Sequence, residues 1–130
     1  MILLVASFCI FTITAVLGLM IAVDIFRGRH PAPSASIVHG VSALLGSVFA
    51  ISAALMGETR IYINIVMAVV IILLGVTAAV KRRKTGVAPK AILAVHILLA
   101  VVCYLLLGAT ALMGYDVMAM VGIEVPEIVL

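Results

Sequence analysis

Charged residues are scarce in this chain. Only 10% of its 130 residues are Asp, Glu, Lys or Arg, whereas 67% are hydrophobic. An average soluble domain has about 25% charged residues and about 45–50% apolar ones, so a soluble chain of this size could not hide so much apolar surface. The composition therefore excludes an ordinary soluble domain and predicts an integral membrane protein. The small net charge of +3 comes from the connections, and it does not indicate nucleic acid as a partner.

Cysteines and N-terminal basic residues are also few. Cys9 and Cys103 fall in different apolar segments and form no C-x-x-C motif, which excludes a disulfide scaffold and a thiol-redox motif. No Lys or Arg precedes Arg27, and the first apolar run exceeds the roughly 7 to 15 residues of a signal-peptide core. We therefore expect a retained first span rather than a signal peptide.

Long apolar runs, by contrast, are abundant. A membrane-spanning helix takes roughly 20 apolar residues, and four segments qualify, at about 2–26, 34–56, 61–80 and 91–113. These runs are continuous and do not alternate with a period of two, which favours helices over a β-barrel. The predicted fold class is an all-α integral membrane four-helix bundle that forms one membrane domain over 1–130.

Basic residues indicate which ends of the helices face the cytoplasm. The first connection carries Arg27 and Arg29, and the third carries the run from Lys81 to Lys84, followed by Lys90. Lys and Arg in short connections stay on the cytoplasmic side of the membrane. We therefore expect these basic connections to be cytoplasmic and both termini to lie outside the inner (plasma) membrane. The segment 115–130 is expected to lie on the outer interface.

A repeat with an offset of 57 residues runs through the apolar segments. The offset separates His39 from His96, and it also separates two copies of Ala-Leu-Met-Gly, which end at Gly57 and Gly114. Dipeptides that match at this offset or one residue from it include Leu17-Gly18 with Leu74-Gly75, and Ala32-Pro33 with Ala88-Pro89. The chain thus reads as two hairpins, about 1–57 and 58–114, of the same orientation. Parallel repeats of this kind are related by an axis along the membrane normal.

The repeat places one histidine in the second span and one in the fourth. Each lies about five to six residues inside its helix, which is roughly 8 to 9 Å from the helix start. The repeat axis would bring His39 and His96 to equal depth, facing each other. Because ionisable residues inside a membrane usually face a cavity, a partner or a cofactor, we predict that both bind the iron of one haem b. The alternative is that each histidine only hydrogen-bonds to a neighbouring helix.

Small residues and cations accompany the two histidines. Gly40, Ala43 and Gly46 follow His39 along its helix, and Ala100 lies one turn beyond His96. Small residues let a flat macrocycle approach, and they equally let another helix pack closely. The cations within reach of haem propionates at the cytoplasmic surface are Arg27, Arg29, Lys84 and Lys90. Carboxylate pairing would suit these cations, and so would topology signalling or attraction to anionic lipid.

With paired span histidines on parallel second and fourth helices, and glycines nearby, the chain resembles the small four-helix membrane b-type cytochromes. The resemblance implies one haem b held by His39 and His96, with electron transfer or haem carriage as the function. It further implies a quinone or a respiratory protein as a partner, besides the lipid bilayer. The chain departs from the two-haem proteins of this kind, which have four ligating histidines.

Other functions are compatible with the sequence. Parallel repeats also occur in transporters, and a Zn or Cu site for a metal-ion transporter could use His30, His39 and His96. Cys103 lies roughly 10 Å beyond His96 along the helix and could not share that metal. A cofactor-free structural or assembly subunit is the third reading. The sequence names no nucleophile, acid–base pair or open metal position, so enzymatic turnover is left undecided, as is a homodimer that shares one haem.

Overall fold

The computed structural model describes residues 1–120 and Gly122, and this part of the chain is helical without strands. Four long helices are joined in sequence: α1 (Ile2–Phe26), α2 (Pro33–Leu55), α3 (Tyr62–Thr85) and α4 (Lys90–Met113). A 3-10 helix, Thr59–Ile61, precedes α3, and the short α5 (Val117–Met120) follows α4. Each of the four long helices is long and apolar enough to cross a membrane. The predicted all-α four-helix architecture is therefore confirmed, while residues 121 and 123–130 of the expected interfacial tail lie outside the described residues.

Prolines and glycines set the limits of the long helices. Pro33 is the first residue of α2 and Pro89 is the N-cap of α4, where the first helical turn has no need of a proline N–H. Helix α3 continues to Thr85, beyond the predicted end of the third span at 80. Its last turns are built from Lys and Arg, which are good helix formers and interact favourably with a helix C-terminus. Gly86 then ends the helix with a φ of 71°, a left-handed conformation that favours glycine.

The long helices form a closed ring of neighbours. Helix α1 packs most extensively against α2, α3 packs against α4, and smaller contacts of α1 with α4 and of α2 with α3 complete the ring. Helices α2 and α4, which carry the two histidines, are therefore diagonally opposite. We call the end of the bundle with the α1–α2 and α3–α4 connections the basic end, where His30 Nδ1 lies 3.3 Å from Arg82 Nη2. The opposite end, which holds Met1, is the terminal end.

The buried core lies toward the terminal end and follows the offset of 57 residues. Leu4 of α1 and Ile61 before α3 are both completely buried, and so are Ser7 and, within 3%, Asn64. The other buried pairs at this offset are Ala50 with Leu107, Ala53 with Thr110, and Ala54 with Ala111. Burial at the terminal end of the first hairpin is thus repeated at five positions of the second.

Two interhelical hydrogen bonds follow the same offset. Ser7 Oγ of α1 donates to the carbonyl oxygen of Gly46 in α2 at 2.9 Å. Asn64 Nδ2 of α3 donates to the carbonyl oxygen of Cys103 in α4 at 2.9 Å. Each bond joins the two helices of one hairpin through a backbone carbonyl group, so the hairpins share a polar contact as well as apolar packing. The buried Asn64 Oδ1 has no hydrogen-bond partner within the described residues.

A charged cluster at the terminal end ties the α2–α3 connection to the end of α4. Arg60 donates to both carboxylate oxygens of Glu58, at 2.6 and 2.8 Å, and its Nη1 donates to the carbonyl oxygen of Gly114 at 3.0 Å. The hydrogen bond from Arg60 lowers the pKa of Glu58 below its usual value of 4.5. This arrangement stabilises the fold only while the carboxyl group is ionised.

Acidification is therefore expected to destabilise the terminal end. Because the pKa of Glu58 is lower in the folded state, its contribution is complete above the unfolded-state pKa of 4.5 and is lost as pH falls through the folded-state pKa. Glu58→Gln should lower the free energy of unfolding by about 1 kcal/mol at neutral pH and should flatten its dependence on pH below 4.5. Denaturation in mixed detergent at pH 7 and at lower pH measures both effects. If Glu58→Gln leaves the free energy of unfolding unchanged at pH 7, the ion pair is not stabilising.

Candidate functional site

His39 is fixed in α2 by a backbone group of α1. Its Nδ1 lies 3.0 Å from the carbonyl oxygen of Thr14. A carbonyl oxygen can only accept a hydrogen bond, so Nδ1 carries the proton in this contact. The neutral ring is then left with a lone pair on Nε2, the tautomer that binds metals through Nε2.

His96 repeats this arrangement in the second hairpin. Its Nδ1 lies 2.9 Å from the carbonyl oxygen of Ile71 in α3, and both histidine and acceptor are displaced by 57 residues from His39 and Thr14. Each histidine stands six residues after the first residue of its helix, which places the two at the same depth from the basic end. The hydrogen bond to a neighbouring helix, which was the alternative to a ligand role, is thus present at both histidines, but it engages only Nδ1.

Each imidazole ring packs directly against a glycine of the adjacent helix. A Cβ atom on Gly18 of α1 would lie 2.9 Å from Cε1 of His39, and one on Gly75 of α3 would lie 3.1 Å from Cε1 of His96. Any larger residue would therefore displace the ring. In the sequence the Gly18 and Gly75 pair served only as a marker of the repeat, and its role at the site was missed. The available signal was a glycine four residues after the carbonyl acceptor, in both hairpins.

The rings of His39 and His96 are neighbours in an edge-to-face arrangement. Their centroids are 6.4 Å apart and their planes form an angle of 62°. An imidazole nitrogen binds a metal at about 2.0–2.1 Å, so two rings that bind one metal from opposite sides have centroids about 6 Å apart. The observed centroid separation of 6.4 Å is close to this distance. The structure therefore brings together the two histidines that the sequence predicted as ligands.

Within the helices, the buried residues around the two rings belong to α1, namely Thr14 and Ala22. No residue of α2 before Gly46, of α3 after Asn64 or of α4 before Leu107 is buried. Gly40, next to His39, is exposed, and a Cβ atom placed on it would meet no other atom within 4 Å. The buried core therefore lies toward the terminal end, and small or exposed residues are more frequent around the imidazoles.

The small residues predicted to line a haem site fall into two groups. Gly40, Ala43 and Ala100 lie nearer the basic end, where Gly40 is exposed and Ala43 and Ala100 are half-buried. Gly46 is buried, and a Cβ atom on it would lie 3.0 Å from the ring of Phe11. At Gly46 the small-residue stripe of α2 therefore packs against α1, as the helix-packing alternative predicted.

The four cations predicted to pair with propionates all lie at the basic end. Arg27, Arg29, Lys84 and Lys90 are exposed, about one and a half turns of helix from the histidines or farther. Arg29 Nε lies 3.3 Å from Asp24 Oδ1, so Arg29 already has a carboxylate partner. The other three contribute positive charge at the basic end.

The three-histidine Zn or Cu site is not formed. His30 lies in the exposed α1–α2 connection against Arg82, while His39 and His96 lie inside the bundle. Within the described residues no group of three or more His, Cys, Asp or Glu side chains is arranged to hold a metal ion. His30 is separated from the pair because the proline-containing connection, 27–32, carries it away from the helix that positions His39.

Comparisons with known protein families, with curated proteins and with solved structures find no match to this chain.

Proposed function

We propose that this protein is a membrane-bound b-type haem protein in which His39 and His96 bind one haem between them. The observation that carries the proposal is the pair of imidazoles, 6.4 Å apart, each held through Nδ1 by a carbonyl group of the neighbouring helix. Hydrogen bonding of the second ring nitrogen fixes the tautomer, orients the ring and raises the basicity of the ligating nitrogen.

The placement of the haem follows from a parallel repeat in a bilayer. Buried positions and interhelical hydrogen bonds that recur at an offset of 57 residues support two hairpins related by an axis along the membrane normal. Seven of the eight Lys and Arg residues belong to the basic end, which supports a cytoplasmic location for that end and outside locations for both termini. The haem would then lie in the cytoplasmic half of the inner (plasma) membrane.

Different residues would have different roles in binding the haem. Bound haem supplies one-electron exchange at its iron. Thr14 and Ile71 orient the two ligands through their carbonyl groups, and Gly18 and Gly75 leave room for the rings. Gly40, Ala43 and Ala100 are small and would let the macrocycle approach, and the cations Arg27, Lys84 and Lys90, with Arg29 after exchange from Asp24, would pair with propionates at the cytoplasmic rim.

A single haem in one half of the membrane supports electron transfer or haem carriage on the cytoplasmic side. The opposite half of the bundle is filled by packed residues such as Leu4, Ile61 and Leu107, which offer no second ligand pair for a relay across the membrane. A quinone in the bilayer or a respiratory protein at the basic end is the partner class that fits this position. Two chains that associate in the membrane would place two such sites side by side.

Spectroscopy of the protein purified in mild detergent from haem-replete cells tests the proposal. We expect a sharp α-band near about 560 nm in the reduced-minus-oxidised spectrum, typical of bis-histidine haem b, and its loss in His39→Ala and in His96→Ala. His30→Ala is the matched control, because its ring lies outside the helices, and it should keep the band. A colourless protein that carries Zn or Cu would support the metal-ion alternative, and one that carries neither would support the structural subunit.

A further inference from the structure

The surroundings of His39 contain a polar network that involves its backbone as well as its ring. The Thr14 hydroxyl donates to Ser42 Oγ at 2.8 Å and lies 3.0 Å from the carbonyl oxygen of Ile10. Ser42 Oγ donates to the carbonyl oxygen of His39 at 3.0 Å. Together with the bond from His39 Nδ1 to the Thr14 carbonyl oxygen, these contacts close a loop that joins α1 and α2 at two points.

The second hairpin lacks this network. The residues displaced by 57 positions from Thr14 and Ser42 are Ile71 and Leu99, whose side chains can neither donate nor accept a hydrogen bond. His96 is consequently joined to α3 through its Nδ1 alone. The two halves of an otherwise repeated site therefore differ in how firmly each histidine is attached to the adjacent helix.

Packing differs in the same direction as hydrogen bonding. Thr14 is buried, whereas Ile71 is half-buried. A Cβ atom on Gly18 would lie 2.9 Å from Cε1 of His39, whereas one on Gly75 would lie 3.1 Å from Cε1 of His96, so the first contact is slightly closer. Contacts of α1 with α2 are also more extensive than those of α3 with α4. The closer packing of α1 against α2 thus accompanies the additional hydrogen bonds around His39.

We propose that Thr14 and Ser42 are positioning residues which make His39 the anchoring ligand of the haem, and that His96 is the exchangeable one. This inference rests on the proposed function and adds to it that a small ligand of the imidazole class can take the place of His96. Interhelical hydrogen bonds of this kind are weak individually in a membrane. The loss of both side-chain bonds of the network should change ligand release by about tenfold.

Glycine substitution of each histidine tests the difference between the two ligands. His96→Gly should retain haem, with a five-coordinate spectrum that added imidazole converts to the six-coordinate form. His39→Gly should retain at least about tenfold less haem per chain, measured after purification. Circular dichroism checks that both variants are folded. Equal haem retention in the two variants, or greater retention in His39→Gly, would overturn the inference.

A second pair of variants tests the positioning residues without touching either ligand. Thr14→Val combined with Ser42→Ala should raise the rate of haem loss to an excess of apomyoglobin by about tenfold, and Thr14→Ser in place of Thr14→Val should restore part of it. The matched control is Ile71→Val combined with Leu99→Ala at the equivalent positions of the second hairpin, with an expected change of less than about twofold. Equal rates in the two double variants would contradict the proposed roles of Thr14 and Ser42. A wild-type protein without haem would instead refute the proposed function itself.

Discussion

Replacement of Gly18 by valine is expected to abolish haem binding while leaving the four helices intact. A Cβ atom at this position would lie 2.9 Å from Cε1 of His39, which is too close for any side chain unless the ring moves. Movement of the ring breaks the hydrogen bond from Nδ1 to the Thr14 carbonyl oxygen and removes Nε2 from the axis between the two histidines. Overpacking of this kind costs about 1–3 kcal/mol. The haem content of the purified variant should fall by at least about tenfold.

An enlarged side chain elsewhere on the same helix provides the control. Ala15 lies one residue beyond Thr14 and is exposed, so Ala15→Val adds volume on the outer face of α1 without contact to the ring. We expect wild-type haem content in Ala15→Val and a helical circular dichroism spectrum in both variants. If Gly18→Val bound as much haem as Ala15→Val, the close packing of His39 against Gly18 would not be needed for haem binding.

Truncation of Leu4 to alanine should cause a larger loss of stability than Glu58→Gln. Leu4 is completely buried, and its removal leaves a cavity in the core at the terminal end. Lipid is as apolar as leucine, so in a membrane the cost comes from lost packing rather than from exposure to water. We therefore expect a loss near the lower end of the usual range for such truncations, about 2–3 kcal/mol. The measurement is the free energy of unfolding in mixed detergent.

Because of the repeat, the same loss of stability is expected at the equivalent position of the second hairpin. Ile61 occupies the position equivalent to Leu4 and is also completely buried, so Ile61→Ala should cost about the same as Leu4→Ala. Leu112→Ala is the control, because Leu112 is 63% exposed and its truncation should change the free energy of unfolding by less than about 0.5 kcal/mol. A cost for Leu4→Ala as small as that for Leu112→Ala would show that the described core does not hold the bundle together.

The helices were predictable from the sequence because each is a continuous apolar run. Helix α1 covers the same residues as the first predicted span, and α2 and α4 begin or end within one residue of theirs. Helix α3 is longer than the predicted span, because hydrophobicity marks where a helix enters lipid and not where its backbone hydrogen bonding stops. The end of α3 was set by Gly86, which a search for apolar residues does not detect.

The contacts of the site were predictable only in part. The pairing of His39 with His96 followed from their shared offset in two hairpins. The acceptors Thr14 and Ile71 did not, because a backbone carbonyl group carries no sequence signature and the rotation of each helix about its axis is set by packing. The small residues of α2 also differ in role, because Gly46 packs against Phe11 of α1 whereas a Cβ atom on Gly40 would contact no other helix. This difference was not predictable, since the position of Phe11 follows from the packing of α1 against α2.

The two hairpins differ in sequence at the positions of Thr14 and Ser42, but the sequence alone did not indicate that this difference affects the histidines. Thr14 and Ser42 align with Ile71 and Leu99 at the offset of 57 residues, and hydroxyl groups in apolar helices commonly bond to their own backbone. Only the coordinates bring the Thr14 hydroxyl to 2.8 Å from Ser42 Oγ. The functional difference between two repeat-related ligands thus depends on side-chain contacts between helices, which the repeat itself does not encode.

If one imidazole from each hairpin binds a single shared haem, the haem content of the protein must depend on both histidines. We would measure the quantity of haem extracted per chain from the purified wild-type protein and from the double variant His39→Ala/His96→Ala. We expect one haem per chain in the wild-type protein and none in the double variant. Absence of haem from the wild-type protein, or the same haem content in both proteins, would contradict it.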